Sequence, residues 1–592
     1  MQRNLEVMTL GLLLLISVSS AAGGSAYIYA SAVTALGVGN LTTISLNVTP
    51  GNGNVLIKGP SSVANDTLFS AQEAVGYAAN YLKLNPRSYN FTYFVNYSSV
   101  SGPSGGLALS VLAISALSST PLQHNFALTG TVTTTGNVGQ IGGIYEKSLA
   151  AVQSKKQFMI VPYALNGTFE NSLYYIVQQR LGIPVVKVSN VTQALPYAFG
   201  TAKPRPFSYN ITQNYHTSLL PTLNLTCQAC NTTKFKSLAY TTINLTTAQV
   251  AKILGNYSAL RGSLTNSLAN FTTITNKGYL YTGADLSFLE FSNAYLFANS
   301  NFTRNAATTI IANVTNYCNS LSSPAMTSDN YEYVIGGQLR QGWALQTLNN
   351  SRSTLASAQT TDDVAQSIYG AATSYAWCTA SSKMYKIALG SNSAPVALSN
   401  STIQLIYKSV NASQKYPGLY SQVALSSLNA GKYGAALYNS RYAAVFGNST
   451  FSLYSQSQLS NLTQSNIMNA SNGGIWPFEF SAQSLFFLNQ ALLQQPSGGS
   501  LGAMQNAYTI SALALGLSSA NNVLRSGFIA APIVPYTNST TVLNLQSQVS
   551  QIYNILFVLC ALVFIIFLIL IAMFLRPMQS GPIKSVRRPR RQ

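Results

Sequence analysis

Charge is what this chain is shortest of. Only 7% of its 592 residues are Asp, Glu, Lys or Arg, against roughly a quarter in an average soluble domain. The shortage falls hardest on the acids. Twelve carboxylates stand against 32 basic side chains, so the formal net charge of +20 reflects missing anions more than added cations. Basic residues are spread thinly except at the carboxyl end, and no interior run interleaves them with aromatics. Nucleic acid is therefore not expected as a partner. Histidine is scarcer still: His124 and His216 are the only two. A Ser-His-Asp triad would have to use one of them, and neither has diagnostic neighbours. Cysteine is too sparse for a four-ligand zinc site, since one Cys-x-x-Cys occurs and no second. No metal and no cofactor is expected.

The cysteines that do occur read as structural. Cys227 and Cys230 form the Cys-x-x-Cys pair, while Cys318 and Cys378 stand alone and Cys560 falls in a late apolar stretch. A redox motif would want a strand-helix-strand setting, which is missing, and in the oxidising compartment that the apolar ends of the chain imply, two disulfides are expected, Cys227 with Cys230 and Cys318 with Cys378.

Two apolar stretches address the compartment. Met8 to Val18 follows Arg3 and precedes Ser19, Ser20, Ala21 and Ala22, the layout of a secretory signal over residues 1–25, with an uncleaved anchor as the alternative. Residues 552–575 have the length of a membrane span, with Asn554 as their one strongly polar side chain, and 576–592 form a basic tail. By the positive-inside rule that tail is cytoplasmic. The expectation is a single-pass cell-membrane protein with its bulk outside. About twenty Asn-x-Ser/Thr sequons, among them Asn40, Asn47, Asn96, Asn166, Asn231, Asn313, Asn448 and Asn538, would fit a glycosylated surface.

Between these ends the pattern changes once, near Pro204 and Pro206. Residues 26–203 mix strands with helices. Leu41 to Val48 alternates like a half-buried strand, and Phe91 to Tyr97, Phe126 to Val132 and Phe158 to Val161 are further strands. Helices are expected over Asp66 to Leu82, capped by Asn65 or Asp66, over Leu107 to Leu117 and over Ser148 to Val152. Residues 207–545 read as a mainly helical ectodomain, with Thr247 to Leu268, Ser328 to Leu348 and Ser481 to Leu493 as examples. Its aromatics are taken as core.

One serine and one lysine carry the chemistry. Ser101-Gly-Pro-Ser-Gly-Gly106 lies between a strand and an apolar helix. Ser104 there would present its hydroxyl beside free backbone N–H groups that can stabilise an oxyanion, and the glycines admit a substrate backbone. Lys147 follows Gly142-Gly143-Ile144-Tyr145-Glu146. A lysine serves as base only when burial lowers its pKa, and Ile141, Ile144 and Leu149 would supply apolar surroundings.

Gly-Pro-Ser-Gly-Gly, then Leu-Thr-Gly at 128–130, then Ile-Gly-Gly-Ile-Tyr-Glu-Lys at 141–147 resembles the proteolytic domain of the Lon protease family, in order and in the 43-residue step from serine to lysine. With Pro50 to Gly59 and Phe158 to Pro162, the resemblance covers about 170 residues. It implies an α+β Lon-type proteolytic domain, followed here by the mainly α-helical ectodomain and a single C-terminal transmembrane helix. It also implies Ser104 as nucleophile, Lys147 as base, Thr129 orienting the lysine, and Gly102, Gly105, Gly142 and Gly143 at the oxyanion or substrate backbone. Ser101, Gly105 and Thr131 depart from the family pattern at supporting positions. No Gly-x4-Gly-Lys-Ser/Thr phosphate loop occurs, so the expected activity is ATP-independent cleavage of unfolded or membrane-proximal polypeptides, with self-association as in the family's rings. A glycosylated surface or adhesion protein with an inactive or self-cleaving domain is the alternative, and a Cys-x-x-Cys oxidoreductase is a third reading.

Overall fold

The computed structural model describes residues 24–96, 99–165, 168–209, 215–228, 230–253, 255–448, 454–494 and 499–531. The first elements are β1 (Ser25–Val33) and β2 (Gly39–Pro50), paired antiparallel with Val33 opposite Gly39. Thr42, Ile44, Leu46 and Val48 of β2 are buried while Thr43 and Asn47 face out, the alternation a one-sided strand requires. There follow β3 (Val55–Lys58), α1 (Asn65–Tyr81), β4 (Tyr89–Val95), α2 (Gly106–Ser118), β5 (Phe126–Leu128) and α3 (Ile144–Gln153). The domain is completed by β6 (Phe158–Pro162), α4 (Phe169–Leu181), β7 (Val185–Val188) and α5 (Val191–Ala198). Seven strands form one mixed sheet in the order β7-β6-β5-β1-β2-β4-β3.

The sequence pattern placed β2, α1, β4, α2, β5, α3 and β6 to within a few residues and did not single out β1, β3, α4, β7 or α5; three departures have physical causes. Neither Asn65 nor Asp66 caps α1: the cap position is Ala64, without a side-chain bond, because Asp66 is used on another loop, described below. The strand expected over Phe126 to Val132 stops at Leu128 and resumes at Thr131–Val132, since Gly130 N–H turns aside to donate to the Ser104 carbonyl at 2.9 Å. The helix expected from Ser148 begins four residues earlier, at Ile144, which places Lys147 inside its first turn.

The later region is helical as expected. Its first helices are α6 (Thr232–Val250), α7 (Ser258–Asn276), α8 (Leu280–Ala298), α9 (Arg304–Asn319), α10 (Tyr331–Ser357) and α11 (Thr361–Ala388). Helices continue to Ser526. The continuous helix expected over Thr247 to Leu268 is instead broken after Val250 and resumes at Ser258, with a tight turn at Gly255–Tyr257, where glycine disfavours the α-helix. One apolar core runs from Met159 and Leu173 beside the sheet through Leu264, Phe297, Leu348 and Ile368 of the helices, so the helical region packs directly on the αβ domain. Cys227 is bonded to Cys230 and Cys318 to Cys378, each pair 5.4 Å apart at Cα. The second bridge ties α9 to α11.

The membrane expectation is corrected. Among the described residues no helix is long and apolar enough to cross a membrane. Residues 552–575 and 576–592, where the span and its basic tail were placed, lie outside the described residues, as do the signal-like stretch at Met8 to Val18 and sequons Asn166 and Asn538. The single transmembrane helix and the single-pass cell-membrane location are accordingly set aside.

The Cys318–Cys378 bridge closes a loop of 60 residues, for which loop-closure entropy gives about 4 kcal/mol. Cys378→Ala is expected to lower the free energy of unfolding by that order in urea titration without changing the helical circular dichroism of the folded chain.

Candidate active site

Ser104 lies in the turn Pro103–Gly105 that opens α2. The helix behind it is buried on every side from Gly106 to Ala116, so the turn stands on a rigid base. Three side chains from the first turns of α1 hold the turn from one flank. Gly102 N–H donates to Asp66 Oδ1 (3.3 Å), Thr67 Oγ1 donates to the Gly102 carbonyl (3.2 Å), and Ser70 Oγ donates to the Pro103 carbonyl (3.3 Å). Gly102 has φ 94°, a conformation a Cβ would strain. Its N–H is committed to Asp66, which removes it from the oxyanion donors expected from the sequence.

From the other flank comes the segment after β5. Thr129, fully buried, donates from Oγ1 to the Ser104 carbonyl at 3.2 Å, beside the Gly130 N–H bond to the same oxygen. The same Thr129 Oγ1 accepts a hydrogen bond from Lys147 Nζ at 3.2 Å. Lys147 is therefore two hydrogen bonds from the Ser104 backbone. Among the described residues no hydrogen bond joins Ser104 Oγ to Lys147 Nζ directly.

The Lys147 side chain is 3% exposed. Burial brings its pKa down to about 8, against the opposing pull of the Asp362 carboxylate. A cation in the first turn of α3 also sits at the positive end of the helix dipole, which favours the neutral amine further. Ile144 is buried beside it, while Ile141 and Leu149 are half-buried. Asp362 itself is drawn up to about 7 by burial and by Glu146.

Ser104 opens onto a cleft of about 840 Å³. Gly102, Gly105, Gly142 and Gly143 line it, together with the end of β1 and the turn to Leu36. Gln359, Thr360 and Asp363, from the start of α11 and the residues before it, form a further wall, and Asp363 is the one charged side chain among the lining residues. Neither histidine reaches the cleft. His124 stacks on Tyr27 with ring centroids 3.9 Å apart, and His216 N–H donates to Gln490. A histidine-based triad is thereby excluded. Among the described residues no group of acids, histidines and cysteines could hold a metal ion.

A family model described as the Lon protease (S16) C-terminal proteolytic domain matches residues 24–200. Those residues are a Lon-family proteolytic domain. The Lon-type domain is 26% identical over 185 residues to the Lon protease of Neorickettsia sennetsu, covering 29% of this chain and 21% of that protein. It is 28% identical over 174 residues to the archaeal Lon protease of Methanocaldococcus jannaschii, covering 28% and 26%, and 33% identical over 132 residues to Lon protease 2 of Thermus thermophilus, covering 21% and 16%. The chain thus spans about a quarter or less of the length of these relatives. The Lon-type domain is of the serine-peptidase class, and the helical region lies outside the match.

Two contributions escaped the sequence. Asp66 was visible as a first-turn acid, yet nothing marked it as the holder of the serine turn. Asp362 and Glu146, which join α3 to α11, are 216 positions apart, with no motif linking them.

Burying Lys147 also has a cost in stability. Its folded pKa is lowered from 10.5 to about 8, so the ammonium is penalised at every pH below 8, and the penalty fades as pH rises to 10.5. Lys147→Met is expected to stabilise the fold at pH 7 by up to about 3 kcal/mol. Urea unfolding would show that gain shrinking to near zero above pH 10.5.

Proposed function

We propose that this protein is an ATP-independent serine endopeptidase in which Ser104 is the nucleophile and Lys147 its general base. The observation that carries this reading is the dry amine of Lys147, hydrogen-bonded to Thr129, whose hydroxyl is bonded in turn to the nucleophile's own backbone. A neutral amine that donates one hydrogen to Thr129 keeps its lone pair available to a serine hydroxyl. Lys147 Nζ takes the Ser104 proton as Oγ attacks the peptide carbonyl, and returns it to the departing amine. The same amine then activates water to hydrolyse the acyl-enzyme. Bonds of this kind commonly tighten only around substrate, which fits the absence of a direct Ser104–Lys147 bond in the free chain.

The substrate is loosely folded polypeptide. The cleft is roomy, at about 840 Å³, glycine-edged and almost uncharged, so extended chain of low charge suits it. The sequence contains no phosphate loop with which to couple unfolding to ATP.

The test uses the full-length chain, a serine-reactive fluorophosphonate and fluorescein-labelled unfolded casein. Ser104→Ala is expected to abolish labelling and cleavage, and Lys147→Met to slow cleavage by about 10²–10⁴-fold. ATP is expected to leave the rate unchanged. Because the base must be neutral, the rate should climb as pH rises through about 8. A rate that is flat from pH 6 to 9 removes Lys147 from the role.

A further inference from the structure

The helix that carries Lys147 has no cap of its own. Its N-cap residue is Gly143, at φ 68°, with no side-chain bond, so its first N–H groups depend on another part of the chain. They find it in the helical region. Ile144 N–H donates to Asp362 Oδ2 at 2.5 Å and Tyr145 N–H to Asp362 Oδ1 at 3.0 Å. Asp362 is free for this because α11 is capped by its neighbours: Thr360 and Asp363 form a reciprocal capping box. The contact runs both ways, since Thr361 N–H of α11 donates to Glu146 Oε1 of α3.

We propose that the helical region completes the peptidase, with Asp362 as the positioning residue that fixes the Lys147 helix through its first two backbone N–H groups. This rests on the reading of Ser104 and Lys147 as the catalytic pair. Asp362 is bonded to the start of the Lys147 helix and, like Lys147, is not among the residues lining the cleft; it acts through the base. Its carboxylate also bears on the amine electrostatically: it favours the ammonium, opposing burial. The other titratable groups around Asp362 are Glu146 on α3, Asp363 on its own helix, and Tyr174 on α4, the last also under the influence of Glu170. No cation is among the groups that shift Asp362. The carboxylate is therefore held by backbone dipoles, and its charge bears on the lysine.

Two substitutions in the full-length chain separate position from charge. Asp362→Ala removes both acceptors, and a fall in kcat on labelled casein of tenfold or more is expected, with KM changed less than twofold. Asp362→Asn keeps one acceptor oxygen and loses the charge. It should retain more activity than the alanine variant, and its rate should rise at a pH about half a unit or more lower than that of the parent, because the ammonium has lost its anion. A purely structural role would leave that pH limb in place. If both variants cleave with the parent's kcat and an unmoved limb while Ser104→Ala and Lys147→Met are inactive, the positioning role is wrong and the catalytic pair stands. If Ser104→Ala or Lys147→Met cleaves normally, the catalytic pair itself is wrong. Should Asp362→Ala not fold, the asparagine variant's pH limb decides the matter.

Discussion

Two helix amino termini face each other where α3 meets α11, and the fold depends on what lies between them. Each terminus presents unpaired N–H groups and the positive end of a dipole, so bare contact would be repulsive. Asp362 and Glu146 are exchanged across the gap, each carboxylate accepting from the other helix's backbone. That exchange fixes the helical region against the Lon-type domain at the point where Lys147 is carried. It also sets the wall of the cleft, because Gln359, Thr360 and Asp363 reach Ser104's side of the molecule from the same end of α11.

The same economy of charge recurs through the molecule. Among the described residues six carboxylates accept from backbone N–H groups at the starts of helices or turns. Asp66 holds Gly102, Glu146 holds Thr361, Asp362 holds Ile144 and Tyr145, and Asp363 holds Gln359 and Thr360. Glu332 holds Ile475 and Trp476, and Glu479 holds Tyr281. By contrast one carboxylate–cation pair, Arg525 with Glu332 at 3.9 Å, occurs among the described residues. These six carboxylates are thus bonded to peptide dipoles, which are rigid and indifferent to salt, where flexible surface ion pairs would contribute little; Glu290, fully buried, has neither oxygen bonded.

This arrangement suits the proposed chemistry. A lysine base needs a site dry enough to lower its pKa, yet an anion too close would restore the ammonium. Here the carboxylate that bears on the amine accepts from two N–H donors, which offset part of its charge. Thr129, neutral and fully buried, is the group left in contact with Nζ.

The Lon-type domain was legible residue by residue. Ser104, Thr129 and Lys147 stood in recognisable order, the strand and helix periods placed seven elements of the domain, and both disulfides were expected by pairing the close two cysteines and the distant two. These are signals of motif order, residue type and local period, readable without knowing which distant segments meet. The linear chain gave no hint that Asp66 clasps the serine turn, that Gly102 lends its N–H to that clasp, or that Lys147 lies inside α3. Nor did it place Asp362 beside α3, since that meeting depends on a core shared between the sheet and distant helices. Composition and motif thus determined what kind of domain this is and which side chains are candidates for its chemistry. Only tertiary packing decided which of them meet, because an uncapped helix end must be satisfied by whatever group the fold brings to it.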